Sequence, residues 1–205
     1  MEALRKVTGI AAPMMRINID TDQIIPTLFL GGTDAKGYGV HLFHHSRYLP
    51  DGSPNPEFIL NQTPYHTAQI LLADRNFGCG SSRERAPKAL REFGFRAIVA
   101  PSFGGIFFNN CFRNGIVPVE LPIEQVRVIS SAVEASAGRA LVTVDLEEQV
   151  VIAPNAERFS FAVPAMFREM LLNGVDEIAL TLSYAVELDE FRAKDSVRRP
   201  WAYGP

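Results

Sequence analysis

The residue types with the most chemical capacity are concentrated in one stretch, Asn76-Phe77-Gly78-Cys79-Gly80-Ser81-Ser82-Arg83-Glu84-Arg85-Ala86-Pro87. It follows an apolar run, Gln69–Ala73, and leads into a segment with helical spacing. Gly78 and Gly80 let the backbone turn sharply and let a ligand come close to it. Ser81 and Ser82 fall near the expected helix start, where unpaired N–H groups and the helix dipole favour anions. Arg83 adds a cationic fork suited to a carboxylate. The chemistry implied is anion binding around a hydroxyl. A purely local reading competes with it, since Ser81-x-x-Glu84 fits a capping box and Gly-x-Gly before a helix is a common turn. Pro87 disturbs that register. A cap at Ser81 puts the proline where an intrahelical N–H is expected, so the first turn is irregular or starts later. Three familiar motifs are excluded: there is no Gly-Lys-Ser/Thr ending, Arg83 replaces the third glycine of a dinucleotide fingerprint, and no Gly-x-Ser-x-Gly elbow occurs.

A second stretch, Asn18-Ile19-Asp20-Thr21-Asp22-Gln23-Ile24-Ile25-Pro26, carries two aspartates two residues apart. Asp20 and Asp22 could bind a metal or orient another side chain, but such a segment more often forms an Asx-turn or helix cap. His41, His44 and His45 have no accompanying ligand set, which favours a surface or core role over metal binding. The two cysteines, Cys79 and Cys111, cannot make a disulfide scaffold and cannot by themselves hold an iron–sulfur cluster.

Elements must position these groups, and composition says what kind. With 205 residues, 47% apolar and 21% charged, the chain can bury one real core, and disorder and fibrous repeats are excluded. The organisation expected is a single domain over 1–194 and a solvated tail over 195–205. A net charge of −3 gives no electrostatic case for nucleic acid or a membrane surface. No apolar run is long enough to cross a bilayer. Arg5 and Lys6 precede only a short apolar stretch broken by Pro13 and Arg16, so no secretory signal is expected. The setting implied is a reduced cytoplasm.

The first seventy residues are dense in proline and glycine, which predicts loops, short strands and single helical turns. Beyond them, Gln69–Ala73, Arg96–Ala100 and Ile116–Glu120 read as buried strands. Helices are predicted between them over Arg83–Phe93 and Phe103–Asn114, the second stopped by Gly115. This alternation predicts an α/β fold with a parallel-sheet core and ligands at the carboxyl ends of the strands. Ile123–Ala137 then reads as a helix, and Ala140–Asp145 with Gln149–Ala153 as a hairpin. Pro164–Asn173 is an amphipathic helix, with Val163, Met166, Phe167, Met170 and Leu171 on its apolar side.

Together the segments NIDTDQIIP (18–26), GYGVHLF (37–43), NFGCGSSRERAP (76–87), APSFGGIF (100–107) and MLLNGVD (170–176) resemble the small subunit of 3-isopropylmalate dehydratase, in the aconitase superfamily. The resemblance runs from about Val7 to Leu182. It implies a swivelling β/β/α domain like the last domain of aconitase, paired with a separate large subunit that carries a [4Fe–4S] cluster. It implies a hydro-lyase that isomerises 2-isopropylmalate and 3-isopropylmalate through an unsaturated intermediate. Ser81 would be the base, while Ser82, Arg83 and Lys36 would hold a substrate carboxylate. Asp22 and Asp20 would stand behind them, Asp22 orienting a group of the large subunit. Two positions depart from the pattern: Ala35 replaces a common arginine, with Lys36 beside it, and Arg85 replaces a usual histidine. A related hydroxy-diacid of citramalate or dimethylmalate type therefore stands as an alternative substrate, and a non-catalytic anion-binding module as an alternative role.

Overall fold

The chain opens with two strands, β1 (Lys6–Gly9) and β2 (Ala11–Met14), which are separated by one residue yet belong to different sheets. A computed structural model describes residues 1–29, 31 and 37–203. After β2 come the one-turn helices α1 (Thr21–Ile24) and α2 (His44–Arg47) among isolated 3-10 turns. This is the irregular texture that the breakers predict. The alternation follows: β3 (Ile70–Ala73), α3 (Arg85–Phe93), β4 (Ala97–Ala100), α4 (Gly105–Arg113) and β5 (Val117–Glu120). Strands β2, β3, β4 and β5 pair in that order as a parallel sheet.

Successive side chains of a strand point to opposite faces. Ile70, Leu72, Val99 and Val119 accordingly enter one core, while Leu71, Ala73, Ile98 and Ala100 enter a second. Every residue of β3 and β4 is buried. Both faces being covered, these strands read as continuous apolar runs instead of alternating ones.

The first core is closed by α5 (Ile123–Ala135), through Val126, Ile129 and Val133, and by a second sheet. That sheet adds β6 (Val142–Asp145), β7 (Val150–Ile152) and β8 (Arg158–Ser160), and is antiparallel in the order β1-β6-β7-β8. The predicted hairpin is its centre, extended on either side by strands too short and too exposed to announce themselves. Asp145 organises the hairpin. Its Oδ1 accepts the N–H groups of Glu147 and Glu148, each at 3.0 Å, and its Oδ2 lies 2.9 Å from Lys6 Nζ across the β1–β6 pair.

Helix α6 (Ala165–Asn173) buries Phe167, Met170 and Leu171 and ends at Gly174, whose φ of +69° suits a left-handed C-terminal stop. Met166 corrects the predicted stripe: it is exposed. Helices α7 (Glu177–Ser183) and α8 (Ala185–Arg198) complete the chain. The division expected at 194/195 falls inside α8. That helix is nearly all exposed, so it had no apolar stripe to read. Its end is tied locally, with Asp195 accepting from Arg199 at 2.6 and 2.8 Å and from Tyr203 at 2.9 Å. Among the described residues no helix is long and apolar enough to cross a membrane.

Candidate active site

Three loops leave the carboxyl ends of β2, β3 and β4 and meet, as ligand sites of parallel sheets do. Pairing continues past the strand ends through parallel bridges between Asp20 and Cys79 and between Phe77 and Phe103. Thr21 N donates to the Cys79 carbonyl at 3.0 Å, Gly78 N to that of Ile19 at 2.7 Å, and Gly104 N to that of Phe77 at 2.9 Å. Close approach dictates the glycines. A Cβ on Gly78, where φ is +71°, would lie 2.2 Å from the Phe107 ring; one on Gly104 would lie 2.5 Å from the Gly78 carbonyl oxygen.

The junction encloses a pocket of about 130 Å³ between Thr21, the loop from Gly78 to Arg83, and the Gly104–Phe107 turn. Ile106 is 58% exposed and lines this pocket. Ser81 and Ser82 are exposed at the pocket wall. The Ser81 carbonyl is fixed by Thr21 Oγ1 at 2.8 Å, whereas no described residue bonds to its hydroxyl. The Arg83 side chain is only 13% exposed. Its Nη1 donates to Asp22 Oδ1 at 2.5 Å and to the Ile25 carbonyl at 3.0 Å. Nε and Nη2 take no partner among the described residues, which leaves one edge of the guanidinium as a fork for a carboxylate. Asp22 also accepts from Thr27 N at 3.2 Å and Thr27 Oγ1 at 3.3 Å. The Arg83 hydrogen bond holds its carboxyl below the usual carboxylate range.

The structure corrects one local expectation. Helix α3 begins at Arg85, two residues after the predicted Arg83, and the capping box of Ser81 and Glu84 does not form, since Glu84 occupies the cap position without a side-chain bond. The cause is Pro87. With the start at Arg85 the proline is the third helical residue, where its missing N–H costs no intrahelical bond. Ser81 and Ser82 therefore stand in the loop ahead of the helix. Asp20 follows the local reading: its Oδ1 accepts from Gln23 N at 2.7 Å and caps α1. Asp22 does not cap; it grips Arg83. The histidines pack as aromatics, His41 stacking on Phe29 at 4.0 Å and His44 lying 5.0 Å from Tyr48. Burial, with His41 and His45 nearby, lowers the pKa of His44. Cys79 lies in the bridged turn, and Cys111 is fully buried, which pushes its thiol up.

Lys36 and Ala35 lie outside the described residues. The segment that follows them holds a feature that sequence reasoning passed over. Glu92 on α3 accepts the N–H groups of Tyr38 and Gly39, the latter at 3.0 Å. Glycines flank the tyrosine because a Cβ on Gly37 would lie 2.6 Å from Glu92 Oε2 and one on Gly39 2.9 Å from the Glu92 backbone. The Tyr38 ring then faces Arg85 at 5.5 Å and Lys88 at 5.1 Å. Residues 85, 88 and 92 share one helix face. The Gly-aromatic-Gly spelling was the available signal.

The Aconitase C-terminal domain family matches residues 1–124, and LeuD_N matches residues 131–165. The chain is 50% identical over 202 residues to the 3-isopropylmalate dehydratase small subunit of Dinoroseobacter shibae, covering 98% of this chain and 100% of that one. This chain belongs to the 3-isopropylmalate dehydratase small-subunit family. The corresponding subunit of Neisseria meningitidis serogroup C is 47% identical over 212 residues, covering 99% of both chains. A crystal structure of a 3-isopropylmalate dehydratase from Methanocaldococcus jannaschii matches with a TM-score of 0.66 at 24% identity, covering 90% of this chain and 99% of that one. The fold of this small-subunit family member is thus the α/β architecture that the aconitase resemblance implies.

Proposed function

We propose that this chain works as the small subunit of a hydro-lyase that interconverts 2-isopropylmalate and 3-isopropylmalate, a step of leucine biosynthesis. The observation that carries the reading is the meeting of the Ser81 and Ser82 loop and the half-engaged Arg83 fork in one pocket at the carboxyl ends of three parallel strands. The reaction needs a base for a proton beside a carboxylate and a Lewis acid for the departing hydroxyl. Among the described residues no three His, Cys, Asp or Glu side chains are arranged to hold a metal ion, so these residues do not fit an iron–sulfur cluster. The [4Fe–4S] group belongs in this reading to a large-subunit partner.

The work of this chain is to hold the diacid and move a proton. Arg83 receives a carboxylate on Nε and Nη2 while Asp22 and the Ile25 carbonyl fix Nη1, and Ser82 completes the grip. Ser81 Oγ, as alkoxide, takes the proton from the carbon next to that carboxylate and returns it on rehydration. The nearly buried Arg83 charge supports the anion, since exclusion of water strengthens its field. Closure against the large subunit would exclude the water that the exposed serines now meet. Turnover is expected only when both subunits are mixed, followed by the ultraviolet absorbance of the unsaturated intermediate. Ser81→Ala in that complex should lower kcat by roughly 10²- to 10⁴-fold with little change in KM. A rate that survives the substitution sinks the role of the serine.

A further inference from the structure

We propose that Arg85 is a second carboxylate-binding residue, so that the cleft recognises a diacid through two arginines, Arg83 and Arg85. The inference rests on the dehydratase reading and goes further, to how the second acid group is recognised. Beside the pocket already described lies a second space of about 370 Å³, and the two share Ser82 and Arg83. Among the described residues its further walls are Glu84 and Arg85. A ligand held by Ser82 and Arg83 therefore extends naturally toward Arg85.

Charge singles this residue out. Arg83 already faces Asp22 at 2.5 Å, Lys88 lies 3.9 Å from Glu92, and Arg113 lies 2.9 Å from Glu177. Arg85 has no carboxylate partner among the described residues. A diacid cannot satisfy both of its groups on the one free edge of Arg83. Glu84 shares the wall and opposes an anion there, but it is exposed, so water weakens its field.

The guanidinium is also positioned in advance. It stands over the Tyr38 ring at 5.5 Å, and Glu92 fixes the backbone that carries that ring by taking the N–H groups of Tyr38 and Gly39. A guanidinium over an aromatic ring keeps its in-plane donors available, so orientation is achieved without consuming the charge. Glu92 and Tyr38 act here as positioning residues.

The test uses the complex reconstituted with a cluster-bearing large subunit. The substrates are 3-isopropylmalate and the same acid with the carboxylate remote from the reacting proton converted to a primary amide. Arg85→Gln should raise KM for the diacid about 10- to 100-fold, with kcat within about threefold of the parent. Arg85→Lys should fall between the two, since a lysine keeps the charge but not the fork. Tyr38→Ala should raise KM less than Arg85→Gln, and Tyr38→Phe should leave it unchanged. For the amide, Arg85→Gln and parent should have the same KM. An unchanged diacid KM in Arg85→Gln, or an equal rise for diacid and amide, overturns the assignment. A parent complex that turns over neither substrate overturns the dehydratase reading, and this inference with it. A parent that is active beside an unaffected Arg85→Gln removes the inference alone.

Discussion

At the scale of single residues, the contact that organises the pocket is Arg83 with Asp22. The arginine is nearly buried and the aspartate is 59% exposed, so the pair positions the fork more than it stabilises the fold. Arg83 holds the Asp22 carboxyl below its ordinary value of 3.8. A depressed carboxylate contributes above its unfolded pKa, and that contribution disappears as pH falls through the lower folded value. The pair is therefore intact across the neutral range and is lost only in acid below 3.8. A carboxyl-carbon NMR titration of the isolated chain should place the Asp22 midpoint below that value. Arg83→Gln should return it to the ordinary range. An identical midpoint in both proteins would show that the ion pair does not form in solution.

At the scale of elements, the site depends on how closely the loop after β3 approaches α4. Gly78 and Gly52 both have positive φ, +71° and +83°, but a Cβ at Gly52 meets nothing within 4 Å whereas one at Gly78 strikes the Phe107 ring at 2.2 Å. Backbone strain is common to both positions and the clash is specific to one. Gly78→Ala should therefore cost about 1–3 kcal/mol more than Gly52→Ala, or roughly 2–4 °C in Tm for each kcal/mol. Thermal unfolding of the two variants measures the difference. Equal losses would mean that Phe107 moves aside freely, and the loop would then not be set by that contact. The strands and helices flanking this junction were legible because β3, β4 and β5 carry unbroken apolar runs between segments of helical spacing. Strand β8 and helix α8 were not legible. Arg158–Ser160 is half-exposed, and α8 buries one residue, Asp195, so neither leaves a periodic apolar trace.

At the scale of the whole molecule, the two sheets are joined by the chain step from β1 to β2, and Asp145 anchors β1 to the hairpin. Burial pushes its carboxyl up. The N–H of Glu148, the Lys6 ammonium and the N–H of Glu147 outweigh that and hold it below 3.8. Asp145→Ala should cost about 1–3 kcal/mol at neutral pH, because it removes a nearly buried acceptor of two backbone bonds. The sign of the shift fixes the pH dependence. The gap between parent and variant should stay constant through the neutral range and narrow as pH falls below 3.8. Urea unfolding at a series of pH values measures it, and a gap that widens in acid would contradict the assignment.

By itself the sequence determined the residue chemistry and the alternation of elements. Apolar runs and breakers are local, and an arginine or a serine brings its chemistry wherever it is placed. The family too was legible, since its motifs are contiguous strings. Only the tertiary structure decided where α3 begins, because Pro87 restricts the register and packing selects it. Only the tertiary structure joined Asp22 to Arg83, 61 residues away, and brought Tyr38 onto Arg85 by way of Glu92. Such partners are fixed by the meeting of loops at one sheet edge, and no window along the chain contains both sides of that contact.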